Sequence, residues 1–76
     1  MSIIPAFRAV LKPDVTDNQC QALEKDVRAL KGVVQVIFNR TAAGEKYLDV
    51  NYMPGQDVER HVAAMDGILR THNKMP

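Results

Sequence analysis

The run Leu30-Lys31-Gly32-Val33-Val34-Gln35-Val36-Ile37-Phe38-Asn39 places the tightest constraint on what this chain can fold into. Before it, Cys20, Leu23, Val27 and Leu30 recur at helical steps; after Gly32 the residues are mostly β-branched and the apolar period drops to two. A helix must therefore stop and a strand begin almost at once, and a glycine able to take positive φ is the residue that permits it. The helix has an equally definite start. Thr16 and Gln19 have the spacing of a capping box, and Asp17 falls in the first turn, where the helix dipole favours a carboxylate. In the strand, alternation puts Val34, Val36 and Phe38 on the expected core face and Val33, Gln35, Ile37 and Asn39 on the other.

The flanking stretches supply four more expectations. From Ala6 to Lys12, Phe7, Ala9 and Leu11 share one face, and Pro5 and Pro13 bound a strand between them. Arg40 to Lys46 is a polar connection containing Gly44, and Tyr47 to Tyr52 alternates with Leu48, Val50 and Tyr52 inward, so a β-hairpin is expected. Asp57 is a suitable N-cap for a second helix carrying Val58, Val62, Met65 and Leu69, with Gly67 inside it and both His61 and His72 along it. The tail Thr71-His72-Asn73-Lys74-Met75-Pro76 is polar, lacks alternation and reads as no strand; no internal repeat is evident.

Strand, helix, strand, strand, helix in one 76-residue domain gives an α+β fold. A right-handed crossover followed by a hairpin leads to a ferredoxin-like βαββα arrangement with the last strand missing. The expected sheet is three-stranded and antiparallel in the order 1-3-2, with two helices on one face and the edge of the first strand left open.

The segment Ala22-Leu23-Glu24-Lys25-Asp26-Val27-Arg28-Ala29-Leu30-Lys31-Gly32-Val33-Val34-Gln35-Val36 resembles the first helix, turn and second strand of the heavy-metal-associated domains of copper chaperones and metal-transporting ATPases. The resemblance implies a ferredoxin-like fold and, in that family, a soft metal held by two cysteines three apart at the start of the helix. Those two positions fall here on Thr16 and Gln19, neither a ligand for a soft metal, and Cys20 lies one place beyond on the apolar stripe. The fold is therefore expected without the metal, and no cofactor is implied.

Composition narrows the functions that remain. Ten Lys and Arg against nine Asp and Glu give a net charge of +1, too little to gather nucleic acid or an anionic membrane without a local patch. No apolar stretch reaches the length of a membrane span, and one cysteine allows no internal disulfide, so a cytoplasmic, non-membrane protein is expected. No nucleophile, base and oxyanion donor can be matched, so neither catalytic nor metal-binding residues are assigned and no enzyme is expected. What remains is surface: Ala6, Arg8, Val10, Lys12, Val33, Gln35, Ile37 and Tyr47 form the expected partner-binding set on the open face and first-strand edge. The expected function is a small protein-binding module, a regulatory adaptor or inhibitor of the kind phages and mobile elements often encode. Its partner is another protein or a second copy, a homodimer through the first strand. Two alternatives stand beside it: an RNA- or single-stranded-DNA-binding domain of RNA-recognition type, and a metal or small-ligand binder derived from the metal-chaperone fold.

Overall fold

Thr16 starts the first helix as its spacing with Gln19 requires: the Gln19 N–H donates to Thr16 Oγ1 at 3.2 Å, and the Thr16 N–H donates to Gln19 Oε1 at 2.8 Å. In the computed structural model, which describes residues 4–73, the element order is β1 (Ala6–Leu11), α1 (Asp17–Arg28), β2 (Val33–Arg40), β3 (Lys46–Tyr52), α2 (Val58–Ala63) and β4 (Ile68–Asn73). The strands form one antiparallel sheet in the order β2-β3-β1-β4. The class is α+β, but the sheet has four strands where three are expected from the sequence.

The correction begins at Gly67. Expected inside the second helix, it instead takes φ +90° in a turn that ends α2 early and launches β4. The tail residues Thr71, His72 and Asn73 therefore belong to a strand, while 74–76 lie outside the described residues. Because β4 pairs with β1 from Phe7↔Asn73 to Leu11↔Ile68, the open first-strand edge does not exist, and association through it is withdrawn.

The chain also repeats itself in space. Leu30 N–H donates to the Val27 carbonyl and Val33 N–H to that of Leu30; Met65 and Ile68 make the same pair of bonds to Val62 and Met65. Gly32 and Gly67 occupy the positive-φ position of the two turns, and each turn accepts a bond from the end of a strand in the other half: Met53 N–H to Gly32 O at 2.7 Å, Lys12 N–H to Gly67 O at 2.8 Å. β1-α1-β2 and β3-α2-β4 are two interlocked units of one design, a repeat whose trace in the residue types is confined to the two turns.

The core lies between the helices and one sheet face. Phe7, Ala9, Leu11, Leu48 and Val50 from the sheet meet Cys20, Leu23 and Val27 of α1 and Val58 and Val62 of α2. Phe7 and Tyr52 meet edge to face at 5.6 Å, and among the described residues no polar side chain is buried. The core face of β2 differs from its simple alternation. The register slips between Val33 and Gln35, so Val33 packs against the core opposite Tyr52, whereas Val34 is 50% exposed. An extra residue at a bulge reverses the facing of everything before it, which moves Val33 off the open face and Val34 out of the core.

Candidate functional site

The sheet face away from the helices is ordered by register into rows. One runs Ile37–Asp49–Arg8–His72 and the next Asn39–Tyr47–Val10–Arg70, with Gln35–Asn51–Ala6 beyond. Of the expected partner-binding residues, Ala6, Arg8, Gln35, Ile37 and Tyr47 are brought together on this face. Lys12 is exposed just past the end of β1, with its backbone N–H committed to Gly67. Val33 is on the core side, and Val10 is only 1% exposed despite facing outward, with Tyr47 and Arg70 as its cross-strand neighbours on either side.

The centre of the face is closed by one ion pair. Arg8 Nε donates to Asp49 Oδ1 at 2.9 Å and its Nη2 to Oδ2 at 3.3 Å, a two-pronged contact that Cross-strand facing of Arg8 and Asp49 makes local. The same guanidinium lies 3.8 Å from the Tyr47 ring centroid. Hydrogen bonding to Asp49, strengthened by its charge, raises Arg8 above the ordinary arginine value, so the cation is permanent. Toward β4 the face is polar, with Arg70 Nη2 3.7 Å from Glu45 Oε2 and His72 exposed. Toward β2 it becomes apolar and amide-rich: Ile37 is 48% exposed between Gln35 and Asn39, and Met53, 52% exposed, follows β3 near the bulge.

β2 and β4 are the two edges. Tyr52 N–H points to β1, bonding Pro5 O, and Met53 N–H points to β2, bonding Gly32 O. Alternation from there turns Gln35, Ile37 and Asn39 toward β3 and directs the backbone groups of Val36 and Phe38 outward. The Val36 carbonyl indeed accepts from Arg28 Nη2 at 3.2 Å, a side chain also paired with Glu24 at 2.6 Å. Asn39 Oδ1 accepts the Arg40 N–H at 2.8 Å. β2 thus carries seven uncharged residues from Val33 to Asn39 behind one arginine latch.

Elsewhere the chemistry is spoken for. Thr16 and Gln19 are engaged with each other in the helix cap, and Cys20 is buried in the core. His61 and His72, expected on one helix, stand exposed on α2 and β4. Among the described residues no group of three His, Cys, Asp or Glu side chains is placed to share a metal. A groove of about 400 Å³ beside the α1 N-terminal half gathers Asp14, Asp26 and Asp66 around Lys12 without a nucleophile. Among the described residues no helix is long and apolar enough to cross a membrane. Comparison with protein-family models, with curated proteins and with solved structures finds no match.

Proposed function

We propose that the chain is a small non-enzymatic protein-binding module, a regulatory adaptor or inhibitor, working through the β2 edge and the strip of open face beside it. The observation that carries this reading is the uncharged run Val33–Asn39 on an edge strand, with Val34 and Ile37 about half exposed. Natural edges are blunted by charge, proline, bulges or a covering element; from Gln35 to Asn39 this edge has no charge, proline or bulge, only the Arg28 side chain over it. The RNA-recognition alternative needs aromatic platforms on the open face. Here Phe7, Phe38 and Tyr52 are in or against the core, and Tyr47 lies beneath Arg8, whose charge is engaged by Asp49.

The test is retention on the immobilised protein from an extract of its host, wild type beside Ile37→Lys. A protein retained through rising salt and lost with Ile37→Lys is the expected result. Retention of RNA that elutes at moderate salt and ignores Ile37→Lys would replace this reading with the nucleic-acid one.

A further inference from the structure

We infer that the occupant of the β2 edge is a second copy of this chain, paired antiparallel through β2 about a two-fold axis at Ile37; this rests on the binding-module reading above. Three features of the strand and its flank are self-complementary, as an isologous contact requires. With Ile37 opposite its own copy, Gln35 of each chain faces Asn39 of the other on the open face. Asn39 Oδ1 already accepts from Arg40 N–H, which leaves its amide N–H groups to donate to the partner's Gln35 carbonyl. In the plane of the sheet the outward backbone groups of Val36 meet those of Phe38 in the partner, the hydrogen-bonded positions of the ladder.

The second feature is charge. β2 has no charged side chain before Arg40, and Arg40 is 3.3 Å from Asp17 of its own chain, so the pairing brings no like charges together at its centre. The other edge is less suited to self-pairing, because in β4 an axis centred on Arg70 would set two arginines face to face.

The third is the flank. α1 lies close enough to the edge for Arg28 to reach the Val36 carbonyl, and Glu24 sits one turn earlier on the same side. A two-fold axis sets the two α1 helices antiparallel, with Glu24 of each opposite Arg28 of the other. Arg28 leaves Val36 O, which then accepts from the ladder, and regains a carboxylate across the interface. The contact joins two four-stranded sheets into one of eight strands. A single strand pair with a helix flank lies at the low end of specific interfaces, roughly 1,200 Å² in total, so the dimer dissociates on dilution.

Sedimentation equilibrium across a dilution series tests this. Wild type is expected to pass from dimer to monomer. Ile37→Lys, at an exposed site, places two ammonium groups at the axis and should raise the dimer dissociation constant roughly tenfold or more. Glu24→Arg and Arg28→Glu should each dimerise poorly alone, while an equimolar mixture of the two restores association as heterodimer. Arg70→Glu, on the far edge, should change nothing. A wild type that stays monomeric throughout overturns the inference, as does a dimer indifferent to Ile37→Lys. The oligomer measurement is separate from the retention assay: a monomer that still retains a salt-resistant host protein sinks the dimer alone, and a dimer that retains nothing narrows the binding module to self-association.

Discussion

Gly67 and Arg8 show what single residues decide here. A Cβ at Gly67 would stand 3.1 Å from Leu23 Cδ1 and 3.3 Å from Val15 Cγ2, at a φ of +90° that other residues resist. Gly67→Ala should therefore cost about 1–3 kcal/mol in chemical denaturation; an unchanged midpoint would mean that the turn relaxes freely. The Arg8–Asp49 pair has a different signature. Because the pair raises the Arg8 pKa, its contribution is complete below the ordinary arginine range and fades only as pH climbs through the raised value. No stability should be lost through Arg8 between neutral pH and about 10, where tyrosine and lysine titrate. A wild-type midpoint falling over that interval, with Arg8→Leu flat, would contradict this. At this scale the sequence was readable wherever spacing fixes a bond, as at Thr16 and Gln19. It misled at Val33 and Val34, since a period-two reading has no place for the extra residue of a bulge.

Among the elements, α1 was legible because its cap and stripe agree, although the helix ends at Arg28 and Gly32 serves the turn beyond it rather than the helix end itself; Thr16→Ala should lower stability by about 1 kcal/mol in urea titrations. β4 was hidden for a physical reason. It is an edge strand that buries only Ile68, so its remaining residues show no alternation. The steps from Val58 through Met65 also lead directly to Leu69, which is exposed and lies beyond the turn. The signal that reveals β4 is the match of Met65-Asp66-Gly67-Ile68 to Leu30-Lys31-Gly32-Val33: an apolar residue, a charged one, glycine and a β-branched residue in each. Of the candidate surface, the outward parity of Gln35, Ile37 and Tyr47 could be read in advance; the Arg28 latch could not, because it joins residues on two elements.

For the molecule as a whole, β4 completes the fold by covering β1. A chain ending at Gly67 should give no cooperative thermal transition, because it loses Ile68 from the core and bares the backbone of Phe7 to Leu11. A sharp transition in that truncated protein would mean that the two interlocked units are less dependent on one another than their reciprocal turn bonds suggest.

Phe7 and Asn73 are cross-strand partners, so the chain enters and leaves the sheet at adjacent points. Tension applied between those points runs along the β1–β4 hydrogen bonds, which lie perpendicular to the strands. The bonds then carry the load one after another, and β4 peels away like a zipper at low force, whereas strands pulled lengthwise past each other would have to break their bonds together. In a tethered array this domain would be the link that opens first and lengthens the chain before stiffer neighbours yield.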